Sequence, residues 1–206
     1  MFHEEQTLEP GTLQLLRELS VFLGDSFFLV GGTALALHIG HRKSVDLDFF
    51  CKDPFDSEQL LIKLDACFPK QTIEVVGQAP NTLNLILAGV KTDIIRYAYP
   101  LIDEVEKADG YQLLGIPDIA AMKLSAMTNR GSKKDFVDLA MLLQRYSLAE
   151  LLAHYEKKFP QQDTFFVLRS LGYFDDADAE PDPVMLVPMS WEEAKAIITE
   201  NLSEEL

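Results

Sequence analysis

The chain predicts an α+β fold: a mixed sheet flanked by helices, followed by a helical C-terminal region. Three observations carry this. An apolar run ends at Gly31-Gly32-Thr33, passes through a short helical stretch and re-emerges as an apolar run bearing Asp46 and Asp48. Three strand-like runs follow between residues 72 and 97, separated by turn residues. From Ile116-Pro117-Asp118 onward the apolar spacing becomes helical. The expected division is a core over residues 1–115 and a helical region with an acidic tail over 116–206.

Each element follows from local pattern. Leu13, Leu16, Leu19 and Leu23 recur at helical spacing, so a helix is expected over about 11–24. Residues 25–30 read as the first strand, 33–39 as a short helix and 45–50 as the second strand. Asp56 or Ser57 suits the N-cap of a helix reaching about Phe68. Strands are expected over 72–77, 83–87 and 90–97, with Pro80-Asn81 and Ala88-Gly89 as hairpin turns. Leu113 to Gly115 reads as one more short strand. Helices are expected over 119–130, 134–146, 148–158 and 164–171, with Pro117 in a first turn. The acidic, proline-bearing stretch from Asp175 to Pro183 reads as a loop. A last helix over 191–202 has Ser190 and Glu193 placed for a capping box.

Composition narrows the function class. No apolar run approaches the roughly 20 residues of a membrane span, and the N-terminus lacks the pattern of a signal peptide. Only two cysteines occur, Cys51 and Cys67, with no zinc spacing. A reduced cytoplasmic setting is expected. The net charge is −15, of which −9 lies between Asp175 and Leu206, where ten acids face the single base Lys195. A protein that grips a long nucleic acid carries a basic surface, which this chain lacks in bulk. A local basic rim remains open. An acidic segment near Lys123, Arg130, Lys133 and Lys134 would compete with anionic substrates, in a manner screened by salt.

The chemistry concentrates around two glycines and three aspartates. A strand has a side-chain period of two, so Asp46 and Asp48 share a face while Leu47 and Phe49 point into the core. Adjacent carboxylates repel unless a cation lies between them, and a divalent ion with oxygen ligands is the usual solution. A third carboxylate is expected from Asp93, a lone charge in an apolar run where charge is costly unless paired or metal-bound. Glu74 is the rival and reads as a solvent-face residue. Gly31 and Gly32 open a helix N-terminus suited to phosphate. Thr33 can cap that helix, bond phosphate or do both, and Arg42 either meets phosphate or pairs with Asp46. Lys123 and Arg130, seven residues apart, share a helix face and would neutralise triphosphate charge. His38, His41 and His154 have no assigned catalytic role.

The ordered set Gly-Gly-Thr-Ala-Leu, then His41-Arg42-x-Ser44-x-Asp46-Leu-Asp48-Phe-Phe, resembles the DNA polymerase beta-like nucleotidyltransferase superfamily, and in finer pattern its AbiEii/AbiGii branch. The downstream Lys123-x6-Arg130 and Lys134-Asp135-x-x-Asp138-Leu resemble that branch's second motif. The resemblance implies Asp46, Asp48 and Asp93 as ligands of Mg (or Mn), and Lys123 as a catalytic contact to the NTP. It also implies Gly31, Gly32, Thr33, Arg42, Ser44, Arg130 and Asp138 on the nucleotide-binding side, with the aspartates of the second motif, Asp135 and Asp138, holding basic partners or serving catalysis. Asp-x-Asp also marks haloacid-dehalogenase phosphatases, but those require Thr or Val where Phe50 stands.

The implied activity is transfer of a nucleotidyl group from an NTP to a tRNA 3′ end, a protein or a small molecule. The setting implied is a toxin–antitoxin or abortive-infection system, with a cognate antitoxin. The alternatives are an inactive NTP- or protein-binding module on the same fold, and an antibiotic-type small-molecule nucleotidyltransferase.

Overall fold

The structure, a computed structural model, describes residues 2–205 except the side chain of Arg130. After a helical turn α1 (Glu4–Thr7), helix α2 (Pro10–Leu23) buries Leu15, Leu16, Leu19 and Leu23 along one stripe. Strand β1 (Phe27–Leu29) leads into α3 (Gly31–Ile39), and β2 (Leu47–Cys51) returns beside it. Helix α4 (Ser57–Cys67) is followed by β3 (Ile73–Ala79), β4 (Thr82–Leu87) and β5 (Val90–Arg96). A hairpin of β6 (Glu106–Ala108) and β7 (Tyr111–Leu113) completes the strands. Then come α5 (Ile116–Arg130), α6 (Lys133–Leu143), α7 (Leu148–Lys158), α8 (Thr164–Leu171), α9 (Asp175–Asp178) and α10 (Trp191–Glu205).

The seven strands form one mixed sheet in the order β3-β4-β5-β2-β1-β7-β6. β2 runs antiparallel to β1 and parallel to β5, while β1 is parallel to β7. The hairpins β3-β4 and β4-β5 make the far side antiparallel. Their turns need left-handed backbone: Asn81 has φ 62°, and Ala88 and Gly89 have φ 52° and 81°. In β2 the predicted alternation holds, with Leu47, Phe49 and Cys51 buried and Asp48 and Phe50 half-buried on the opposite face. Helix α3 is apolar all round and is buried from Thr33 to Leu37, packed against α5 and α6. One buried apolar cluster draws residues from both the strand-rich and the helical parts of the chain.

Several boundaries differ from expectation. Helix α3 begins at Gly31 rather than Thr33, because the chain turns at Gly31, whose φ is 69°. A strand over 106–108 pairs with 111–113, so the single expected strand is half of a hairpin. The stretch after Asp175 holds the short helix α9 before its loop. Asp56 takes the N-cap of α4 by accepting from the amides of Glu58 and Gln59. The capping box at Ser190 and Glu193 forms as expected. No helix among the described residues is long and apolar enough to cross a membrane.

One buried ion pair ties the helical region to the loop after β5. Lys158 Nζ lies 2.5 Å from Asp118 Oδ1, and neither side chain is exposed. Asp118 also accepts from the amides of Ile102 and Asp103, and Lys158 donates to the carbonyl of Pro100. Removing one partner of such a pair strands the other charge, which costs more than the pair itself contributes. Lys158→Met is therefore expected to destabilise the protein by about 3 kcal/mol. Urea denaturation would measure this, and adding Asp118→Asn to that variant should recover part of the loss.

Candidate active site

A cleft of about 350 Å³ opens beside the N-terminus of α3. Asp46, Asp48, Asp93, Gly31, Gly32 and Lys123 all contribute to its wall, with Lys91, Lys134, Tyr97 and Asn129. The sheet register explains the carboxylates. Asp48 on β2 lies directly across from Asp93 on the parallel neighbour β5. Asp46, in the loop just before β2, lines the same cleft as Asp48. Glu74 is exposed on the edge strand β3, away from the cleft.

The three acids sit in different environments. Burial, then the neighbouring charges of Asp93 and Asp46, pushes the Asp48 carboxyl up to about 6. Asp46 has a lysine at hand, Lys134 Nζ at 3.3 Å. Asp93 accepts from Asn84 Nδ2 at 2.8 Å and has Lys91 Nζ at 3.3 Å. Gly31 is required by contact as well as by its left-handed φ, since a Cβ there would lie 2.7 Å from Asp48 Oδ2.

Behind this face lies a buried charge cluster centred on Asp138. Its carboxylate accepts from Arg42 in a fork, Nε to Oδ1 at 2.6 Å and Nη2 to Oδ2 at 2.9 Å. His41 Nε2 lies 2.7 Å from Oδ1 and Lys123 Nζ 2.5 Å from Oδ2. Lys123 also donates to Asp135, which accepts from Ser132 as well. Burial alone would raise the pKa of Asp138, but Lys123 and Arg42 outweigh it and hold the carboxyl well below the usual range. Burial likewise opposes the charge on Lys123, and Asp138 and Asp135 reverse that, so its pKa is raised and the ammonium is locked on. Burial lowers the pKa of His41, against the pull of Asp138. Its Nδ1 has no hydrogen-bond partner among the described residues.

Several of the expected residues take partners here that the sequence did not name. Arg42 lines the cleft and forks onto Asp138 rather than pairing with Asp46, and is 4% exposed. Thr33 does not cap α3; its hydroxyl bonds Ser44 Oγ at 2.7 Å and the carbonyl of Asp46 at 2.5 Å, pinning the loop that carries the first carboxylate. Ser44 thereby serves the same loop. Gly32 abuts the Arg42–Asp138 pair, since a Cβ there would collide with Arg42 Nη2. The acidic segment near the C-terminus meets the expected lysine cluster at Lys133, through Asp182 at 3.0 Å and through Glu180, which accepts from the Lys133 amide. The side chain of Arg130 lies outside the described ones. Lys91, Asn84 and His41 were missed as neighbours of the carboxylates and of Asp138. Lys91 was legible in principle, two residues from Asp93 and so on its strand face.

Among the described residues no group of three carboxylate, imidazole or thiolate side chains is arranged to hold a metal ion. The donor chemistry still suits a hard cation: oxygen-only ligands on adjoining strands, with the space beside Asp48 kept clear by Gly31.

A mixed sheet with carboxylates on neighbouring strands, beside a Gly-Gly helix start, defines a nucleotidyltransferase fold. The family described as nucleotidyl transferase AbiEii toxin, type IV TA system, matches residues 14–82 and 82–203, and the chain belongs to it. An uncharacterized protein of Aquifex aeolicus (strain VF5), aq_aa25, is 35% identical over 204 residues, covering 93% of this chain and 94% of the relative. JHP933 of Helicobacter pylori shares the fold with a TM-score of 0.56 and 20% identity, covering 96% of this chain and 93% of that chain. The nucleotidyltransferase toxin MenT4 of Mycobacterium tuberculosis H37Rv superposes with a TM-score of 0.54 and 16% identity, covering 92% of this chain and 79% of that one.

The Asp48 environment yields a pH dependence. Its pKa rises from 3.8 to about 6 on folding, so the stability tied to its proton is present below pH 3.8 and lost as pH rises through about 6. Without added divalent ions, Asp48→Asn should be about 2 kcal/mol more stable than wild type at pH 7.5 and gain little at pH 4. Urea denaturation at the two pH values measures the difference.

Proposed function

We propose that this protein transfers a nucleotidyl group from an NTP to an acceptor hydroxyl, at the cleft walled by Asp46, Asp48 and Asp93. The observation that carries the reading is the direct Asp48–Asp93 pairing across parallel strands, beside the start of α3. The acceptor hydroxyl would lose its proton to solvent as its oxygen bonds to the α-phosphorus, the bond from that phosphorus to the β-bridging oxygen would break, and pyrophosphate would leave with the electron pair. Mg (or Mn) held by Asp46, Asp48 and Asp93 would neutralise phosphate charge and acidify the acceptor hydroxyl.

The chain's own groups have complementary work. The N-terminus of α3 has no side-chain cap, so its first amides at Gly31 and Gly32 are available to a phosphate oxygen. Lys123, fixed by Asp135 and Asp138 at the cleft wall, presents a charge that needs no reorganisation when the polyphosphate arrives. Asp138, fully buried behind the cleft, positions Lys123 directly and, through Arg42, the Gly-Gly turn. The family's type IV TA setting supports a toxin whose activity a cognate antitoxin counteracts.

Incubation with each labelled NTP, Mg and total cellular RNA or lysate would show where label goes. Wild type is expected to label one acceptor class, a tRNA 3′ end, a protein or a small molecule. Asp48→Asn is expected to lose at least about a hundredfold in rate, the loss of a metal-binding charge at the reacting centre. Equal labelling by wild type and Asp48→Asn would overturn the assignment, and no labelling with any NTP would return the chain to a binding role.

A further inference from the structure

Two lysines in the cleft stand where the proposed chemistry has no fixed place for them. Lys91 Nζ lies 3.3 Å from Asp93 Oδ2, and Lys134 Nζ lies 3.3 Å from Asp46 Oδ2. Their side chains are 53% and 50% exposed, in contrast to Lys123 at 7%. They approach from opposite sides, Lys91 from strand β5 and Lys134 from the first turn of α6. Each faces an outer member of the carboxylate trio, and the more buried Asp48 has neither as an ion-pair partner.

Asp48 and Asp93 stand directly across parallel strands and Asp46 lines the same wall of the cleft, so three acids are gathered where like charges repel. In the absence of a divalent ion some other positive charge must offset that repulsion. A half-exposed lysine on a flexible four-carbon stem can do so and still leave at little cost, because exposed pairs contribute only about 0–1 kcal/mol. Lys123 cannot: its ammonium is buried between two aspartates. The site thus carries one locked cation and two releasable ones.

We propose that Lys91 and Lys134 are exchangeable counter-cations. They hold the carboxylate face together when no divalent ion is bound, yield Asp46 and Asp93 to the ion, and then swing their freed ammonium groups onto the polyphosphate of the incoming NTP. This rests on the nucleotidyl-transfer reading, and it makes a distinctive claim: the same lysines oppose metal binding and favour nucleotide binding. A lysine serving only as a surface ion pair would do neither.

The test is a Mn²⁺ titration followed by electron paramagnetic resonance of the free ion, without nucleotide, and separately the affinity for a non-hydrolysable NTP analogue at saturating Mg. Lys91→Gln and Lys134→Gln, both at half-exposed positions, should each tighten Mn²⁺ binding about two- to fivefold. Each should weaken analogue binding by a similar factor, and Lys134→Arg should restore wild-type behaviour in both. Unchanged or weakened Mn²⁺ affinity in both glutamine variants overturns the counter-cation role, and unchanged analogue affinity overturns the transfer to polyphosphate. Asp48→Asn separates the two levels of argument. If wild type and Asp48→Asn alike fail to bind Mn²⁺, the metal-dependent reading falls with this one. If wild type binds and Asp48→Asn does not, while the lysine variants match wild type, only the lysine role fails.

Discussion

The structure depends on one buried carboxylate. Asp138 is fully enclosed and holds Arg42 through a fork, His41 through Nε2 and Lys123 through Nζ. These partners come from the loop before β2 and from α5, so a single side chain on α6 clamps the strand-rich and helical parts of the chain together. Taking an ion from water into the interior costs several kcal/mol, which only close partners offset. Asp138 has them, at 2.5 to 2.9 Å. Much of the neighbouring sequence follows from this. Gly32 has no side chain because Arg42 lies against it. Lys123 keeps its charge although buried.

The clamp sits directly behind the carboxylate face, and the two have opposite electrostatic character. Asp138 is over-supplied with cations, and its pKa falls. Asp48 is crowded by burial and by like charges, and its pKa rises. A locked cluster of two cations and two carboxylates thus backs a face whose three acids have, among the described residues, only half-exposed lysines as ion-pair partners. The C-terminal segment reinforces the frame from outside. Leu186 donates to the carbonyl of His41, and the amide of Lys43 donates to the carbonyl of Val184. The acidic stretch before that strap is occupied by Lys133 and Trp191, through Asp182 and Asp178, which gives part of its charge a packing role.

What the sequence by itself determined was local. The strand period of two put Asp46 and Asp48 on one face and Leu47 and Phe49 in the core. The turn residues at Pro80-Asn81 and Ala88-Gly89 set the hairpins, and the helical spacing of apolar residues set the C-terminal elements. The ordered Gly-Gly and Asp-x-Asp set marked the family. Asp93 was legible because a lone carboxylate in an apolar strand needs a reason to be there. Tertiary structure alone decided the partners. Arg42 and Asp138 are 96 residues apart, and nothing in either local pattern pairs this arginine with that aspartate. Thr33 was ambiguous for the same reason, since a hydroxyl caps a helix or ties down a distant loop according to what folding brings within 3 Å of it. The hairpin at 106–113 was half hidden because three-residue strands carry too few side chains to show a period. Periodicity reports which face a residue occupies, but the identity of the group opposite it is a property of how the elements pack.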